Sequence, residues 1–83
     1  MPKFMVPFSV QPLDEEMRAM LPAERARIRE MAAEGSLLHI FVSSDMSAGW
    51  IVFDVDSEEA ALALMDTLPM HRYMSFSAVP LLG

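Results

Sequence analysis

Residues 49–81 decide the fold of this chain, and they read GWIVFDVDSEEAALALMDTLPMHRYMSFSAVPL. The β-branched and aromatic start predicts a strand over 49–55. Two suitable N-caps, Asp56 and Ser57, then precede apolar residues that recur at helical spacing. These signals predict a helix over 57–68, directly after the strand.

Two further strands are indicated by alternation of apolar and polar residues. Pro69 ends the helix, because proline cannot continue it, and a strand is predicted over 72–79. Near the start of the chain, a strand is predicted over 3–10. Pro7 has no N–H to donate to a neighbouring strand, so we expect an edge strand or a bulge there.

A long helix is predicted over 14–34. Asp14 is a suitable N-cap, and Gly35 is a suitable residue to follow the last turn. Pro22 interrupts the pattern, and two structures are compatible with it. Either one helix kinks there, or two short helices meet with the proline in the first turn of the second.

A buried strand is predicted over 37–43, where His39 is the one polar residue before the final serine, and a polar hairpin loop follows it. The predicted order is therefore β-α-β-β-α-β. That order is typical of a ferredoxin-like α+β fold, in which both helices cover one face of a four-stranded antiparallel sheet. The chain is short, and we expect residues 1–83 to form a single domain.

The composition excludes several classes of protein. Six basic and twelve acidic residues give a net charge of −6, which argues against partners such as nucleic acid or an anionic membrane surface. The absence of cysteine excludes disulfides, a thiolate nucleophile and cysteine-ligated metal. The sequence has neither the apolar core of a signal peptide nor an apolar run of about 18 residues. We therefore expect a soluble, cytoplasmic protein.

Both faces of the predicted sheet are largely apolar, yet two helices can cover only one of them. In the third strand, for example, Ile51 and Phe53 lie on one face and Trp50 and Val52 on the other. An exposed apolar face of this size indicates a partner. The simplest partner is a second copy, packed sheet against sheet as a homodimeric α/β barrel.

Glu24 is the residue that most strongly suggests chemistry. At helical spacing it lies within an apolar arc, which also contains Leu21 and Ile28. A carboxylate on a buried face is costly unless it is paired or next to a pocket, and burial would make it a stronger base. The alternative is structural: if a new helix starts at Pro22, Glu24 is favoured there by free N–H groups and the helix dipole.

Two other residues are candidates for a catalytic role. His39 is either a core or interface histidine, or a partner of Glu24 if it faces the same cavity. Tyr73 lies in the last predicted strand, and its hydroxyl could donate a hydrogen bond to a carbonyl or enolate oxygen. His71 is interpreted as a solvated loop residue. The two histidines lack metal-ligand spacing, so no metal or cofactor is expected.

Two segments carry a family resemblance: ERARIREMAAEGSLLH over 24–39 and WIVFDVDSEEAALALMDTLPMHRYM over 50–74. Together they resemble the muconolactone isomerase family over roughly residues 4–81. The resemblance implies the ferredoxin-like unit, its assembly into dimers or larger closed rings, and a cofactor-free isomerase of aromatic catabolism. It also implies that the acid at Glu24 transfers the proton.

The chain departs from the family where the family is basic, at Leu21, Leu38 and Val42. An anionic lactone calls for a cation, so these replacements indicate a less anionic small-molecule substrate, a lactone or enol, and weak or no turnover of muconolactone. Two alternatives remain open: a non-catalytic ligand-binding or assembly module, and a cofactor-free oxygenase or cyclase on the same fold.

Overall fold

The elements follow one another in the predicted α+β order in the computed structural model, which describes residues 2–82. Met1 and Gly83, the ends of the predicted domain, lie outside the described residues. The elements are β1 (Lys3–Val10), α1 (Glu15–Glu34), β2 (Leu37–Val42), β3 (Ala48–Asp54), α2 (Glu58–Met65), a 3-10 turn (His71–Tyr73), β4 (Met74–Phe76) and β5 (Val79–Pro80).

All strand pairs are antiparallel, and the strand order is β2-β3-β1-β4, with the two-residue β5 also pairing with β1. Both helices pack on one face of this sheet. Met31 of α1 and Met65 of α2 are fully buried there, in one core with Val6 and Phe53 of the sheet. The ferredoxin-like fold is therefore confirmed.

Helix α1 is one continuous helix that passes through Pro22, so the alternative of two short helices is wrong. Its ends are capped as predicted. The Asp14 Oδ1 atom accepts the Met17 N–H at 2.8 Å. Gly35 adopts the left-handed conformation, with φ 87°, and its N–H bonds back to the last turn. The unbroken helix keeps the spacing of its apolar face intact.

Pro7 does not lie in an edge strand, because β1 is central, between β3 and β4. The Gln11 N–H donates to the Tyr73 carbonyl on the β4 side. Backbone N–H groups alternate sides along a strand, so the nitrogen of Pro7, four residues earlier, faces the same side. Pro7 falls between the residues of β1 that pair with β4 and those that pair with β5. Its missing N–H therefore coincides with a gap in the neighbouring strand.

A bulge at Leu38 changes which residues of β2 share a face. Leu37 pairs with Phe53, and His39 pairs with Val52, so Leu38 has no partner of its own. Leu37 is consequently buried on the helix side, while His39 lies on the opposite face. Strict alternation along β2 would place Leu37 and His39 on one face, and the bulge at Leu38 separates them.

The segment after β3 is less regular than predicted. Helix α2 is capped by Ser57 but ends at Met65, before the predicted 68. Beyond it the Thr67 and Leu68 N–H groups bond to carbonyls three residues back, in tighter turns than those of an α-helix. The strand predicted over 72–79 is split into β4 and β5. In the part of the chain that the structure describes, no helix has the length and apolar character needed to cross a bilayer.

Candidate active site

A cavity of about 130 Å³ lies between α1 and the sheet. Its floor is formed by buried side chains, while residues such as Val42, which is 51% exposed, form its mouth. Twelve lining residues are apolar, and two, Glu24 and Arg25, are charged. The apolar lining consists of Phe8, Val10, Leu13, Leu21, Ile28, Ile40, Val42, Met46, Ile51, Leu68, Met70 and Met74.

Glu24 is the buried charged residue of this cavity and is only 8% exposed. Helical spacing places it on the buried stripe of α1, seven residues from both Met17 and Met31. Its Oε1 atom accepts the Met70 backbone N–H at 3.0 Å. Within residues 2–82 its other oxygen, Oε2, accepts no hydrogen bond from the protein. One oxygen is therefore held by the backbone, and the other remains available to a ligand.

The electrostatic environment favours the protonated form of Glu24. Burial raises the pKa of this carboxyl above its ordinary value of 4.5, because desolvation penalises the charge. The hydrogen bond from Met70 and the Coulombic interaction with nearby His71 oppose this rise in the pKa of Glu24. A raised pKa brings a carboxylate closer to the range in which it works as a general base near neutral pH.

The Met70 N–H is presented by a tight turn over residues 68–71. The His71 N–H donates to the Leu68 carbonyl at 3.0 Å, which closes the turn. Pro69 stands at the position where proline favours a type I turn. Met70 has φ −92° and ψ 8°, the conformation of the next position of such a turn. The N–H of Met70 takes no part in closing the turn and so is free to bond Glu24.

A second turn fixes Met46 against the cavity. The Asp45 carboxylate accepts hydrogen bonds from the Ser47 N–H and from the hydroxyls of Ser43 and Ser47, at 2.7 to 3.0 Å. These bonds, with those from Ser47 foremost, lower the pKa of Asp45 to about 2. In the same loop the backbone of Met46 adopts the left-handed conformation, with φ 64°. Met46 lines the cavity. The hairpin loop thus forms part of the cavity wall.

The three predicted site residues are not brought together in one chain. Glu24 lies in the cavity as predicted. His39 lies on the opposite face of the sheet, where its ring stacks on Phe41 with centroids 6.2 Å apart. Tyr73 does not line the cavity, although the next residue, Met74, does.

Sequence reasoning missed two groups at this site. Arg25, which falls off the apolar arc, nevertheless lines the mouth of the cavity, where it stands four residues after Leu21 on the helix surface. No ion pair engages it among the described residues. The Met70 N–H was also missed, because a backbone donor leaves no mark on side-chain patterns. Pro69 was the available signal, since it favours a turn there.

Comparison with known proteins gives a consistent result. The family model for muconolactone delta-isomerase matches residues 3–83. A crystal structure of muconolactone isomerase aligns with a TM-score of 0.70 and 27% identity, over 98% of this chain and 88% of that one. A dimeric ferredoxin-like protein of unknown function from Jannaschia sp. CCS1 aligns with a TM-score of 0.56 and 12% identity, over 95% and 99% of the two chains. No curated protein matches the sequence.

We expect the free energy of unfolding of Glu24→Gln to increase, relative to that of the wild type, as the pH rises. The folded-state pKa of Glu24 lies above its ordinary 4.5, so the folded protein holds the proton more tightly than the unfolded chain. The cost of burying the charge is therefore absent well below pH 4.5 and grows until the pH passes the raised pKa. Glutamine carries no charge, and its carbonyl oxygen can still accept the Met70 N–H.

Urea unfolding across this pH range measures the difference in free energy of unfolding between the two proteins. The matched control is Glu16→Gln, which changes an exposed glutamate of the same helix. A difference between Glu24→Gln and wild type that stays constant with pH would contradict the prediction.

Proposed function

This chain belongs to the muconolactone delta-isomerase family, and we propose that it catalyses a cofactor-free proton transfer on a small unsaturated lactone or enol, with Glu24 as the base. The observation that carries this proposal is the Glu24 carboxylate in an apolar cavity, with one oxygen held by the Met70 N–H and the other unoccupied by protein donors. Such a carboxylate is oriented and poorly solvated, as proton transfer requires.

The proposed step shifts a double bond into conjugation with a carbonyl. Glu24 Oε2 removes a proton from the carbon next to the carbonyl, and the released electron pair forms a dienolate. The same carboxyl then returns the proton to the γ-carbon. One proton moves and no electrons are gained or lost, so the step needs no redox partner. Glu24 carries the proton in both halves of this scheme, since His39 and Tyr73 do not line the cavity.

Arg25 is the group that we assign to stabilise the dienolate. It is the cation at the mouth of the cavity, next to Glu24 in the helix. Charge that develops on the carbonyl oxygen is best stabilised by a donor already in place before the reaction. The floor of the cavity offers no such donor, because its remaining lining residues are apolar.

The cavity favours a neutral and compact substrate. Its volume of about 130 Å³ is close to the roughly 150 Å³ of an apolar cavity that holds benzene. Leu21 and Val42 line it with aliphatic groups, and an anionic substituent on the floor would lie near the negative Glu24. We therefore propose a small neutral lactone rather than muconolactone itself, which is a carboxylate.

We expect a methyl-substituted β,γ-unsaturated γ-lactone to be isomerised faster than its carboxymethyl counterpart. Glu24→Gln keeps the shape of the side chain but removes the base, so its kcat should fall by about 10²–10⁴-fold. Ultraviolet absorbance follows the gain of conjugation. Glu16→Gln serves as the control and should retain the wild-type rate.

Turnover by Glu24→Gln at close to the wild-type rate would remove Glu24 from the mechanism. Binding of the lactone by the wild type without any isomerisation, measured by calorimetry, would support the ligand-binding alternative. The apolar lining fits that alternative as well, because it provides affinity for a neutral ligand without chemistry.

We further propose that two copies associate through the outer face of the sheet, the face opposite the helices. Exposed apolar residues mark this face: Phe41 is 59% exposed, Trp50 41% and Val79 46%. Phe41 and Trp50 are paired across β2 and β3, so they form one continuous surface. An apolar surface of this kind on a small domain favours burial against a second copy.

We expect Phe41→Glu to dissociate this homodimer, because an unpaired carboxylate is costly to bury at an apolar interface. Size-exclusion chromatography with light scattering should give twice the mass of the chain for the wild type and the mass of one chain for the variant. Arg29→Gln, on the exposed side of α1, is the control and should remain dimeric. A wild type that is monomeric at micromolar concentration would refute the proposal.

A further inference from the structure

His71 makes a contact that the proposed mechanism does not use. Its ring atom Nδ1 lies 2.8 Å from the Leu68 carbonyl oxygen. Because a carbonyl only accepts, Nδ1 carries the proton and donates it. The backbone N–H of His71 donates to the same oxygen. The turn over residues 68–71 is therefore closed twice by one residue, once through its backbone and once through its side chain.

This turn presents the donor that holds the proposed base. Leu68 and Met70, at 1% and 4% exposed, are both packed into the protein, and both line the cavity. The Met70 N–H lies between the two residues that close the turn and points to Glu24 Oε1. A looser turn would move this N–H relative to Glu24, since a hydrogen bond weakens steeply with misalignment.

We propose that His71 is a positioning residue, which keeps the turn over residues 68–71 closed and thereby holds the Met70 N–H against Glu24 Oε1. It does not line the cavity, so it acts on the reaction only through Met70 and Glu24. The inference rests on the proposed role of Glu24. It assigns the orientation of the Glu24 carboxylate to His71, a residue 47 positions further along the sequence.

Few charged groups lie around Glu24, so a change in its pKa that follows the substitution of His71 can be measured. Arg25 of α1 is the other charged residue at the cavity, and the lining contributed by the strands is apolar. The Coulombic interaction with His71 lowers the pKa of Glu24, in the same direction as the Met70 hydrogen bond. A test must therefore separate the positioning of the turn from the charge of the imidazole.

Three substitutions separate these two effects. Asn places an amide N–H close to where Nδ1 stands in histidine, but carries no charge. Gln is equally neutral but places its N–H further from the backbone. Phe keeps a ring and has no donor. Arg72→Gln, which removes an exposed charge in the same 3-10 turn, is the control.

The readout is an NMR titration of the Glu24 carboxyl carbon, together with the Met70 amide proton. In the wild type, the Met70 amide shift should follow the ionisation of Glu24. His71→Gln and His71→Phe should raise the titration midpoint of Glu24 and weaken the response of Met70. His71→Asn should raise the midpoint less than either, and Arg72→Gln should leave it unchanged.

An equal shift in the Asn, Gln and Phe variants would overturn the proposal, because charge alone would then explain it. So would the absence of any shift. If the Phe variant does not fold, the comparison of Asn with Gln decides the question. The titration needs no substrate, so a protein that isomerises no lactone would refute the proposed function and leave this inference standing.

Discussion

The hydrogen bond from the Met70 N–H to Glu24 Oε1, 3.0 Å long, is the constraint on which the site depends. A carboxylate that is only 8% exposed needs a partner, because burying it unpaired is costly. This partner comes from the segment after α2, whereas Glu24 lies in the middle of α1. The bond therefore ties the two halves of the fold together beside the cavity, and it leaves Oε2 without a protein donor among residues 2–82.

Hydrogen-bonded turns and close packing hold the backbone around the cavity. Gly49 allows the Phe8 ring to lie across the floor: a Cβ atom at Gly49 would collide with that ring and stand 2.7 Å from the Phe41 carbonyl oxygen. Met46 and Met74 supply flexible walls, which suit ligands of varied outline. Fixed polar geometry at one point and adaptable apolar walls elsewhere are common features of small-molecule sites.

The order of elements and the position of Glu24 could be predicted from sequence, because both follow from local periodicity and capping. Glu24 falls on the buried face because α1 continues through Pro22 with its spacing unchanged. The bulge at Leu38 could not be predicted, since it depends on pairing with β3 rather than on β2 alone. For the same reason, the contact of Met70 with Glu24 was missed, because it joins segments that lie far apart in the sequence. The contact of His71 with Leu68 is local, but it depends on the turn at Pro69, which the pattern of side chains does not specify.

The most direct test of the central claim is a crystal structure of the protein soaked with the neutral methyl-substituted γ-lactone. The account predicts the lactone in the cavity between α1 and the sheet, with its reacting carbon next to Glu24 Oε2 and the bond from Met70 to Oε1 intact. A Glu24 side chain turned out to solvent, or a lactone bound elsewhere while the cavity stays empty, would contradict it.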